Sequence, residues 1–88
     1  MSLLTKYAPV RVRLMGASAR SVLLQELKAR RRADDGQAPV AEYNHGPAEW
    51  VPWSQLHPDD AALLREAPVG GAYAVWIVRT FAEKAGWA

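Results

Sequence analysis

The residues whose type and spacing point most directly to chemistry are basic and lie in the first third of the chain: Arg11, Arg13, Arg20, Lys28, Arg30, Arg31 and Arg32. Guanidinium and ammonium groups gathered on one surface hold phosphates or carboxylates. Residues 1–33 carry eight Lys or Arg and one acid, Glu26, whereas residues 34–88 carry three Lys or Arg and eight acids. The net charge of +2 hides this division. The basic set reads in two ways. It is a nucleic-acid contact with salt-sensitive affinity, or it is a solvated strand face followed by a charged loop. Trp50, Trp53, Trp76 and Trp87 offer stacking surfaces for bases, but tryptophan at strand positions is usually core. Trp50 and Trp76 therefore read as core. Trp53, beside Pro52, reads as exposed and joins the candidate contact set, and Trp87 reads as an anchor for a partner.

Catalytic chemistry finds little support. The chain has no cysteine and two histidines, His45 and His57, neither with a second ligand at metal spacing. A turn and a helix start account for them. Ser18, Ser21 and Ser54 lie outside any Gly-x-Ser-x-Gly elbow. Asp34-Asp35 and Asp59-Asp60 are adjacent pairs, and neighbours in sequence do not face one another across a site. Gly70-Gly71 lacks the spacing and lysine of a phosphate loop. The expectation is a protein that is not an enzyme and takes no metal or cofactor.

The elements that position these residues follow from pattern. Val10-Arg-Val-Arg-Leu-Met15 alternates with period two, the signature of a half-buried strand. Ser18–Ala33 is ambiguous. Its composition favours helix, but Glu26 and Arg30 interrupt the apolar stripe that a helix would need. The alternative is a turn at Gly16–Arg20 followed by a strand over 21–27. Residues 28–39, punctuated by Gly36 and Pro39, read as a mobile charged loop. Asn44-His-Gly-Pro47 is a turn signal and predicts a hairpin between strands 40–43 and 48–52. Pro58, Asp59 and Asp60 suit the start of a helix over 58–67. Ala72–Arg79 is rich in β-formers and reads as a central strand. Thr80-Phe-Ala-Glu83 reads as a capping box for a last helix, with Gly86 to end it.

Three segments in order resemble a loose group of small phage and mobile-element proteins of unknown function. They are Val10–Leu24, the Glu49-Trp-Val-Pro-Trp-Ser-Gln55 run and Arg79–Trp87. In that group a hairpin leads into a Trp-aliphatic-Pro-x-Ser-Gln strand, here Trp50–Gln55. The chain closes with an aromatic-Ala-acid-Lys-x-Gly helix, here Phe81–Gly86. The resemblance implies a strand over Ser21–Leu27. It supplies no activity.

These observations predict one α+β domain over 1–88. A small antiparallel β-sheet has strands near 9–16, 21–27, 40–43, 48–52 and 72–79, with short helices near 58–67 and 80–86. If 18–33 is helical instead, the order becomes the ferredoxin-like βαββαβ arrangement. The expected function is a binding module of phage or mobile-element type that contacts nucleic acid through its basic N-terminal face. The alternative is a protein-interaction module, an inhibitor or accessory factor on a host or phage protein. A homodimer through an exposed strand edge is a further candidate. No apolar run is long enough to span a membrane, and the start has no signal-peptide core, so a cytoplasmic location is expected.

Overall fold

A computed structural model describes residues 6–30 and 41–87. Four strands form one antiparallel sheet: β1 (Tyr7–Ala17), β2 (Ser21–Arg30), β3 (Ala41–Pro52) and β4 (Ala72–Val78). Their order across the sheet is β3-β2-β1-β4. A 3-10 turn, Trp53–Gln55, and helix α1 (Pro58–Glu66) connect β3 to β4, and helix α2 (Arg79–Lys84) follows directly. The α+β class expected from pattern is the class observed, and residues 21–30 are strand, which excludes the ferredoxin-like order.

The alternation of β1 decides which face is covered. Ala8, Val10, Val12 and Leu14 are buried, each at most 5% exposed. Register carries the same face across the sheet, to Val22 and Leu24 of β2, Val51 of β3, and Val75 and Ile77 of β4. On it pack Leu56, Ala61 and Leu64 from the connection and α1, then Ala82 and Trp87. Helices α1 and α2 therefore lie on one side, and neither packs on the opposite face. Glu26 is the polar exception on the core side. It is 7% exposed, paired across the sheet with Val12 and with the exposed His45.

Local chemistry explains the ends. The β1–β2 turn closes on Ser18, whose Oγ accepts from Ser21 N at 3.1 Å and whose amide donates to Ser21 O at 2.7 Å. His57 caps α1, its Nδ1 accepting from Asp59 N at 3.2 Å, with Pro58 at the first helical position. Asp60 Oδ2 accepts from Trp76 N at 2.7 Å and ties the helix start to the outer edge of β4. Gly86, at φ 78°, ends α2, and Trp87 N donates back to Ala82 O at 2.7 Å.

Four expectations change. The hairpin at Asn44–Pro47 is absent: expected strands 40–43 and 48–52 are two limbs of β3, and both pair with β2. Leu24 faces Glu49 and Glu26 faces His45, so β3 carries two extra residues in a bulge. An even excess leaves side chains in phase on both limbs. Gly46 supplies the positive φ of 73°, and Gln25 Nε2 holds its carbonyl at 2.7 Å. Because β3 is an edge strand, Pro47 and Pro52 are tolerated there. Second, Lys28–Arg30, expected in a loop, continue β2; residues 31–39 of that expected loop lie outside the described residues. Third, Ala72–Val78 is not central but an edge, partly covered by the Leu56–Ile77 bridge. Fourth, α2 starts at Arg79 without a side-chain cap, so Thr80 and Glu83 form no capping box.

β1 and β2 part company beyond the Val12–Glu26 pair, although β1 continues beside β4 back to Tyr7. Leu14 exchanges backbone bonds with Gly70 and Gly71 on the β4 side. Alternation then aims the backbone of Val12, Val10 and Ala8 at β4 and that of Arg13, Arg11 and Pro9 at β2. Pro9 has no N–H to offer there, and the ladder ends short of it. Beyond that point β2 and β3 run on as a two-stranded ribbon, with Lys28 opposite Tyr43.

Leu14→Ala is expected to cost about 2–5 kcal/mol in urea unfolding, the usual range for a buried leucine. Trp50→Ala, on the uncovered face, is expected to cost less than about 1 kcal/mol in the same measurement. Gly46→Ala is expected to lose about 1 kcal/mol through its positive φ.

Candidate nucleic-acid interface

The sheet face opposite α1 and α2 is built by the alternate set of residues. Tyr7, Pro9, Arg11 and Arg13 come from β1; Leu23, Gln25 and Leu27 from β2; Asn44 and Trp50 from β3; Ala72, Ala74, Trp76 and Val78 from β4. Arg11 lies between Ala74 and the line of β2, and is exposed. Trp50 pairs with Leu23 at one end and is 53% exposed. Trp76 pairs with Pro9 at the other end and is half-buried. The two tryptophan rows are about 20 Å apart along β1, at ~3.3 Å per residue. No acid occurs among the residues of this face whose side chains are described. The carboxylates of Asp59, Asp60, Glu66 and Glu83 stand instead on the helices.

Arg13 is anchored. Its Nε donates to Asn44 Oδ1 at 3.1 Å and its Nη1 to Gly70 O at 2.6 Å. One side chain thus links β3 to the loop before β4 across the uncovered face, leaving one terminal nitrogen, Nη2, outside these two bonds. Sequence pattern grouped Arg11, Arg13 and Arg20 on one patch; the structure keeps Arg11 and Arg13 on one face and separates Arg20 from them. Arg20 sits in the β1–β2 turn and lines a groove on the helix side with Trp53 and Arg65. Lys28 is exposed on the ribbon, with its side chain on the opposite side from Arg11 by register. Arg30 pairs by backbone with Ala41, and Arg31 and Arg32 lie outside the described residues.

The tryptophans reverse their expected roles. Trp53 is 9% exposed, its Nε1 donating to Ser18 O at 2.9 Å. Trp50, expected as core, is the exposed one. Parity is the cause: Val51 points into the core, so Trp50 and Pro52 point away and Trp53, two residues after Val51, returns to the core side. Trp87, expected as a partner anchor, is 8% exposed and packs edge-on to Phe81 at 6.4 Å between centroids. The alternation of Val10–Leu14 and the pairing of Trp50 with Val51 were the signals that could have placed Trp50 outside.

No group of three or more His, Cys, Asp or Glu side chains comes together among the described residues. No described helix is long and apolar enough to cross a membrane. No family model, no curated protein and no solved structure matches the chain.

Arg13→Ala removes both hydrogen bonds and is expected to lower stability by about 1 kcal/mol, after allowance for partial exposure. Amide exchange should rise around Asn44 and Gly70 together, which a purely local loss at β1 would not produce.

Proposed function

We propose that this protein is a nucleic-acid-binding module, of the phage or mobile-element type that its motifs resemble, and that it uses the uncovered sheet face rather than a catalytic centre. The observation that carries the reading is the composition of that face: Arg11, Arg13, Trp50 and Trp76 with no described acid among them. Arginine contacts phosphate oxygens through a planar fork, and exposed tryptophan stacks on any base. A pleated sheet fixes the spacing of such side chains, so a single strand laid across it meets charge and ring surface together. Double-stranded DNA fits less well, because its bases are already stacked and Trp50 would have nothing to stack on.

A protein partner is the second reading. It draws on the apolar share of the same face, where Leu23 and Val78 lie half-buried beside the tryptophans.

Retention of single-stranded DNA and RNA oligonucleotides across a salt series tests the proposal. Binding should weaken log-linearly with salt. Arg11→Glu should cost about tenfold or more at low salt, and Trp50→Ala about 5- to 100-fold, the stacking contribution of one base. Absence of binding at low salt rejects nucleic acid and leaves the protein partner, and binding unaffected by both substitutions rejects the sheet face as its site.

A further inference from the structure

A second constellation lies away from the uncovered face. An open groove of about 820 Å³ runs beside the β1–β2 turn and α1, within the size range of small-molecule sites. Arg20 lines it from the turn, and Ala61, Ala62 and Arg65 line it from the helix. Trp53 positions both arginines. Its backbone N–H donates to Arg20 O at 3.2 Å, and its ring carries the Arg65 guanidinium at 4.9 Å from the centroid. The indole itself is fixed by its bond to Ser18 O. Stacking holds a guanidinium by its face and leaves its N–H edges available to an anion.

Neither Arg20 nor Arg65 forms an ion pair among the described residues, although Glu66 lines the same groove. Both arginines are exposed and line one groove, so an anion in it can take donors from the turn and from the helix together. The remaining wall includes Leu56 and Pro58, with the exposed Ser54 as a further polar contact. We infer that this groove binds a phosphomonoester with a ring or apolar body: Arg20 and Arg65 hold the dianion, and the Leu56–Pro58 wall covers the body. The source is either a free mononucleotide or the phosphorylated end of a nucleic acid. The site does not depend on the sheet-face reading, since Arg11, Arg13, Trp50 and Trp76 are not among its lining residues.

The full chain should be titrated at low ionic strength with AMP, inorganic phosphate and adenosine, following tryptophan fluorescence and amide shifts. AMP is expected to bind with shifts at Ala19, Arg20 and Arg65, and adenosine about tenfold or more weakly. Arg20→Gln with Arg65→Gln should weaken AMP by about tenfold or more, whereas Lys84→Gln, at an exposed position outside the groove lining, should leave AMP affinity unchanged. Arg65→Lys keeps the charge but loses the planar fork, and it should also bind AMP more weakly. If the Arg65 variants fail to fold, judged by thermal melting, Arg20→Gln alone carries the test. An end-phosphorylated oligonucleotide that displaces AMP, where its dephosphorylated form does not, assigns the source to nucleic-acid ends; failure to displace assigns it to the free phosphomonoester. Adenosine binding as tightly as AMP, no saturable AMP binding at millimolar concentration, or an unaltered affinity in folded Arg20→Gln would overturn the inference.

Discussion

The strict alternation of β1 is the constraint on which the rest depends. Ala8, Val10, Val12 and Leu14 must leave water together, and a strand can hide one face only by pairing with neighbours whose apolar residues fall in the same phase. β2 supplies Val22 and Leu24, β4 supplies Val75 and Ile77, and the helices close over that side. Once this face is committed, Arg11 and Arg13 have no choice of side. The uncovered face is the geometric remainder of the core, and its chemistry is therefore written by the residues that the core rejects.

The irregularities respect the same phase. β1 has its bulge at Met15, between the Leu14–Leu24 and Gly16–Leu23 pairs, and the larger bulge of β3 adds an even number of residues. The two-residue excess, accommodated by the positive φ of Gly46, keeps Val51 buried while Trp50 remains available on the far side. Trp53 then leaves the strand and serves a different task, joining the β1–β2 turn to α1 through one backbone bond, one indole bond and one cation–π contact. Two tryptophans of identical chemistry thus have opposite environments because they stand an odd number of residues apart, on opposite faces of the alternation.

The polar bonds serve positioning more than catalysis. Arg13 crosses the uncovered face to Asn44 and Gly70, His57 caps a helix, and Asp60 satisfies an edge amide of β4. Each is a group that a sequence reading could enlist for binding or acid–base work. Each is instead satisfied by a backbone or side-chain partner, which lowers its availability for chemistry. Among the described residues the helices carry exposed carboxylates and the opposite sheet face carries Arg11 and Arg13, while Arg20 and Arg65 remain on the helix side.

By itself the sequence determined the class of fold, the strand at Val10–Leu14, the helix begun by His57-Pro58-Asp59-Asp60 and the stop at Gly86, while Ser21–Leu27 stayed open between strand and helix until the sheet paired it. These depend on periodicity, capping and φ preference, which act over a few residues. It also determined that positive charge concentrates before residue 34. Tertiary structure alone decided that Asn44–Pro47 is a bulge, because a turn signal specifies a local bend and not which strand pairs beyond it. It decided that β4 is an edge and that Trp50 and Trp53 exchange roles, since register and strand order are long-range matters. It also decided that Arg13 is tied down and that Arg20 meets Arg65 across a groove. Such encounters join residues tens of positions apart, and their energies exist only once the sheet has closed.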